Sequence, residues 1–180
     1  MVDAVAAFVA WLGASVVVLA DGRRGLALGA AISVAGMAVV ALDAAGPEAA
    51  ASVALGGVVA AAGRLRSGRG GWHIMPAGST PRLVLCIAAA LLALWIAAAL
   101  TTGPAAPLRF TAMVVIGLSG ARVLGADEPP ILFTAIGLLA LAIALAAGIG
   151  QIAPTPWPFL AAAVIAGLAG WISPRTVAAA

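Results

Sequence analysis

The feature that most constrains this chain is a series of seven apolar blocks, each close to the length of a membrane-spanning helix. They fall at about 4–20, 25–42, 49–63, 83–101, 108–124, 131–149 and 157–173. Between them stand "DGRR", "DAAGPE", "RLRSGRGGWHIMPAGSTPR", "TTGPAAP", "GADEPP" and "QIAPTPWP". Each separator holds the glycine, proline or charge that ends a helix. Pro47, Pro107, Pro130, Pro158 and Pro174 lie at or near block ends, where a missing N–H costs least or a stop is wanted. A bilayer core of about 30 Å calls for roughly 20 apolar residues per span. Charged residues make up only 8% of the 180, against about 25% in a soluble domain, so no wetted surface can be built. The expected fold class is therefore an all-α integral membrane protein of about seven transmembrane helices. Residues 1–180 form a single polytopic membrane domain, with no soluble domain.

Arginine gives the orientation. The chain has no lysine, and its nine basic residues are all arginine. In a soluble protein the resulting net charge of +3 would point to nucleic acid; here it reads as topology, with no nucleic-acid partner. Seven alternating spans put Arg23, Arg24, Arg64, Arg66, Arg69, Arg82, Arg122 and Arg175 on one side and Arg109 alone on the other. Basic residues concentrate in cytoplasmic loops. The N-terminus is thus expected outside, the C-terminus in the cytoplasm, and 64–82 as a basic cytoplasmic loop. An Ala- and Gly-rich, lysine-free chain points to a bacterial inner (plasma) membrane. The start, "MVDAVAAFVAWLG", has no basic leader and reads as a first membrane helix, not a cleaved signal.

The third block is short. Fifteen residues separate Glu48 from Arg64 and reach about 22 Å. Snorkelling by Arg64 and Arg66 would close the gap; six spans plus a re-entrant segment is the alternative. The arginine count favours seven. Trp157 and Trp171, at opposite ends of the last block, read as interfacial anchors, and the deeper Trp11 and Trp95 as packing residues. No repeat of fixed period is visible.

One stretch invites a catalytic reading. Gly117-Leu118-Ser119-Gly120 resembles the GxSG motif of rhomboid intramembrane proteases, in which the serine is a nucleophile. A serine hydroxyl needs a base to take its proton, and in rhomboids a histidine on a later helix does so. The single histidine here, His73, lies upstream in the basic loop. No catalytic residue is therefore assigned and an enzyme is not expected; Ser119 reads as a small residue on a packing face with Gly117 and Ala121. The other interior hydroxyls, on Ser15, Ser33, Ser52, Thr111 and Thr134, are expected to return to their own helix backbones.

Metal and cofactor sites fail by arithmetic, since one histidine and one cysteine, Cys86, cannot make a four-ligand zinc site. "SGRGG" lacks the Gly-Lys-Ser/Thr ending of a phosphate-binding loop. Arg64, Arg66, Arg69 and Arg82, with Trp72, are the expected contacts to anionic lipid headgroups or a partner chain. Small residues recur at spacings of four: Ala31–Ala35, Gly56–Ala60, Ala140–Ala144–Gly148, Ala142–Ala146–Gly150, Ala163–Gly167 and Ala166–Gly170. Such stripes let helices approach closely in lipid. These features point to a non-catalytic accessory or scaffolding subunit of a larger bacterial membrane complex, with the lipid bilayer and other membrane subunits as partners. The alternative is a small transporter or channel component for a neutral or lipophilic solute. In size and span count the chain is similar to substrate-binding subunits of vitamin importers, without a motif in common.

Overall fold

The computed structural model describes residues 1–66, 70–75, 79–100, 106–149 and 155–172, with backbone alone at 97–100. Seven helices fill them: α1 Val2–Leu19, α2 Arg23–Ala45, α3 Pro47–Arg64, α4 Thr80–Leu100, α5 Ala106–Leu124, α6 Pro129–Ala147 and α7 Trp157–Trp171. Each coincides with one apolar block. Proline opens α3, α6 and α7 from the first or second helical position, where its fixed φ suits the helix and its absent N–H has no intrahelical partner to lose. α1, α2, α5 and α6 are long and apolar enough to cross a membrane, and on that ground the chain is read as an all-helical membrane protein.

The helices form two facing layers in the same order. α1 packs on α2 and α2 on α3; α5 packs on α6 and α6 on α7. Across the layers α1 meets α5, α2 meets α6 and α3 meets α7. Facing helices run in the same direction: Arg122 near the end of α5 reaches Ala20 just past the end of α1, and Arg64 at the end of α3 reaches Ala169 near the end of α7. A consecutive order repeated in space is therefore present although no sequence repeat announces it. α4 lies outside the layers, against α5 and α1. The indole N–H of Trp11 donates to the Cys86 carbonyl at 3.2 Å and ties α1 to α4, so Trp11 serves packing as expected.

Glycine governs how near the layers' helices lie. A Cβ on Gly13 would overlap the Ser33 backbone of α2, and one on Gly29 would stand 2.8 Å from the Val17 backbone nitrogen of α1. Between α3 and α7, a Cβ on Gly56 would stand 2.5 Å from Ala163 Cα, and one on Gly170 at the same distance from Ala60 Cα. The Gly56–Ala60 and Ala163–Gly167 stripes thus build the α3–α7 seam, while the Ala166–Gly170 stripe is shared, Gly170 meeting Ala60 of α3 and Ala166 meeting Gly137 of α6. One stripe turns outward, and one expectation fails. Ala31 and Ala35 are exposed, so that stripe joins no helix pair of this chain. Gly117 is also exposed, and a Cβ on it or on Gly120 would meet nothing within 4 Å. The GLSG glycines therefore face away from the neighbouring helices, because Leu118 and Ser119 are the residues turned into the core.

Interior hydroxyls divide. Ser52 donates to the Glu48 carbonyl and Thr134 to the Pro130 carbonyl, both at 2.7 Å. Ser33, Thr111 and Ser119 are buried with no hydrogen-bond partner among the described residues, contrary to the expected return to their own backbones. Ser33 lies beside Gly13, and Thr111 and Ser119 are buried in the packed interior.

Candidate functional site

Polar chemistry gathers at the end of the bundle where α1 passes into α2. The turn is three residues long, Ala20 to Gly22, and carries Asp21. The basic segment after α3 folds back onto it. The Asp21 N–H donates to the His73 carbonyl at 3.1 Å, the Met75 N–H to the Leu19 carbonyl at 3.0 Å, and the Arg24 N–H to the Gly71 carbonyl at 3.3 Å. Ala20 and Ile74 form an antiparallel bridge. His73 and Met75 hold φ of 36° and 53°, a left-handed conformation that costs energy for residues with a Cβ. The paired backbone groups on both sides hold it in place. Gly22 and Gly25 make the approach possible: a Cβ on either would stand 2.5 Å from Gly71 O or 2.6 Å from Trp72 O, respectively.

Asp21 then collects two guanidinium groups. Arg82, in the first turn of α4, donates to both carboxylate oxygens at 3.0 and 3.2 Å. Arg122, in the last turn of α5, donates to the same carboxylate and, at 2.9 Å, to the Ala20 carbonyl. Arg122 is 4% exposed and Arg82 37%. Partial burial pushes the Asp21 carboxyl up, but the guanidiniums of Arg122 and Arg82 outweigh it and hold it below the usual carboxylate value. One carboxylate thus joins the ends of α1, α4 and α5.

A second arginine centre closes α3 on α7. Arg64 is 1% exposed and donates to the Ala169 and Gly170 carbonyls at 2.9 and 3.5 Å. A helix C-terminus carries unsatisfied carbonyls and partial negative charge, which a buried guanidinium meets well. The snorkelling expected of Arg64 is therefore not what forms: its cation turns inward to α7 instead of outward to headgroups. Arg66 stays at the surface, 4.4 Å over the Trp171 ring, and the Trp171 indole N–H donates to Val59 at 3.1 Å. Of the remaining expected contacts, Arg82 is engaged by Asp21, Trp72 is exposed, and Arg69 lies outside the described residues.

Sequence reasoning missed Asp21 and Arg122 as partners. They stand 101 positions apart, and nothing local pairs them. A usable signal was present: "DGRR" sets an aspartate on the side that the arginine count makes basic, where Asp127 and Glu128 are the other acidic residues. Among the described residues no group of three metal-binding side chains occurs. The arrangement binds helix ends together and holds no nucleophile beside a base. Comparisons with protein-family models, curated proteins and solved structures found no match.

Proposed function

We propose that this chain is a non-catalytic accessory or scaffolding subunit of a larger bacterial membrane complex, crossing the membrane seven times. The observation that carries the reading is the tight meeting of α2 and α3 with α6 and α7, the larger apolar recess of about 510 Å³ lying to one side among α1, α4 and α5. The space shared by α2, α3, α6 and α7 amounts to about 10 Å³, roughly the room of one water. Gly57, Gly137 and Gly170 line it and bring the helices together. Such an interior favours a structural part over a solute path. Outward, α4 presents Leu91, Leu92, Leu94 and Trp95, the last 69% exposed, a face suited to lipid or to another membrane helix.

For the span count, α3 counts most. Its helix runs 18 residues, from Pro47 to Arg64, three more than the apolar block between the charges, and so reaches about 27 Å. Those three are Pro47, Glu48 and Arg64, and α3 is not among the four helices apolar enough to cross on length and composition, so the full span rests on the arginine count. With seven spans, the Asp21 end faces the cytoplasm and the end carrying Asp3, Asp43, Glu48 and Arg109 faces outward. A reporter active only in the cytoplasm should therefore work when fused after Ala180 or inserted within 66–70, and fail when fused before Asp3. Activity at both termini would mean an even number of spans.

The subunit reading is tested by affinity purification from the native host in mild detergent, with size separation and mass spectrometry. The expected result is a complex much heavier than 17.4 kDa with other membrane subunits in fixed ratio. A monomer or pure homo-oligomer that moves a solute in liposomes would establish the transporter alternative instead.

A further inference from the structure

We propose that the outer groove between α2 and α3 at the Asp21 end is a binding site for an anionic phospholipid, with Arg24 and Trp72 at its mouth. The inference rests on the membrane reading and is independent of the subunit reading. The groove is open along its outer side and offers about 530 Å³. Its walls are apolar: Leu28 and Ala31 on α2, Val58 and Ala61 on α3. From Arg24 to Ala31 the α2 wall runs seven residues, about 10 Å into the bilayer, along the direction an acyl chain takes from its headgroup. The alanines hollow the floor, Ala31 among them.

Charge at the mouth selects the headgroup. Arg24 is exposed and forms no ion pair among the described residues. The nearby carboxylate in sequence, Asp21, is already occupied by Arg82 and Arg122. Trp72 is set over the groove by the backbone bonding of 71–75 to the α1–α2 turn, made possible by Gly22 and Gly25. An indole at the headgroup level with an arginine beside it is the pairing that an anionic lipid at a membrane surface meets favourably. The lipid contact expected of Arg64 and Arg82 thus passes to Arg24, because those two cations are consumed within the protein.

The test is native mass spectrometry of the full chain purified with phosphatidylglycerol or phosphatidylcholine. Wild type should retain phosphatidylglycerol about fivefold better, the ratio given by roughly 1 kcal/mol for one surface arginine. Arg24→Gln should bring the ratio near one. Arg109→Gln, at the opposite end, should leave it unchanged. Ala61→Phe, which fills the groove, should lower retention of both lipids, and excess inorganic phosphate should not displace either. Folding of each variant is checked by its elution as a single species. As a second measurement on wild type, phosphatidylglycerol brominated on its acyl chain should quench the part of the fluorescence that Trp72→Phe removes, and brominated phosphatidylcholine should quench it less. An unchanged lipid ratio in folded Arg24→Gln, equal quenching by the two lipids, or displacement by phosphate would each overturn the site.

Discussion

Gly13→Leu is expected to destabilise the protein by about 3 kcal/mol or more, the upper end of what overpacking costs. The reason is the nature of the obstacle. A Cβ at Gly13 runs into the backbone of Ser33 and the Gly29 carbonyl, and backbone inside a helix cannot rotate aside as a side chain can. α1 and α2 would have to part along their length, and with them the alternating contacts at Val17–Gly29 and Ala10–Gly36. Gly117→Leu provides the contrast, since a Cβ there meets nothing within 4 Å; it should fall within about 0.5 kcal/mol of wild type. Unfolding midpoints in mixed micelles with increasing dodecyl sulfate measure both. Equal midpoints for the two variants would refute the close α1–α2 seam.

The second large effect belongs to Asp21. Asp21→Leu removes the carboxylate from a guanidinium that is 4% exposed and should cost about 3 kcal/mol, the lower end for a buried charge stripped of its partner. Arg82→Gln should cost less than about 1 kcal/mol, because its ion pair is open to solvent. The order matters more than either figure: Asp21 serves two helices, and Arg82 only one. pH adds a signed check. Arg122 and Arg82 hold the Asp21 carboxyl below the ordinary aspartate value. The stabilisation is therefore present above the unfolded value and is lost as pH falls through the lower folded value. The stability gap between wild type and Asp21→Leu should stay constant from neutral pH down to about pH 4, the ordinary aspartate range, and shrink only below it. A gap that closes between pH 7 and 5 would mean the carboxylate is not held by these cations.

How these two sites arise differs in kind. Gly13 was visible as a glycine in an apolar block, but the spacing-of-four search passed over it, because the α1–α2 seam uses Gly13 from one helix and Gly29 and Gly36, seven apart, from the other. For the α3–α7 seam the stripes Gly56–Ala60 and Ala163–Gly167 were visible in both partners, but which helix each would meet was not. Arg64 was seen but assigned outward. Its position at a helix end is equally suited to snorkelling and to capping a neighbour, and only the placement of α7's terminal carbonyls beside it decides.

Sequence by itself determined that seven apolar helices form, where proline and charge divide them, and that most arginines fall at one end. Those outcomes follow from local physics: an apolar run of this length has no polar face to wet, and a proline or charge pair interrupts it wherever it stands. The tertiary structure alone decided that first and last triplets face each other in register. It also decided that α4 lies outside them, that Asp21 joins Arg82 and Arg122, and that Arg24 is left at an open groove while Arg64 is buried. Those facts depend on which helix surfaces meet, and in a chain so rich in alanine and glycine many surfaces are equally smooth. The choice among them rests on backbone approach and on a few charges distant in sequence, neither of which a local pattern records.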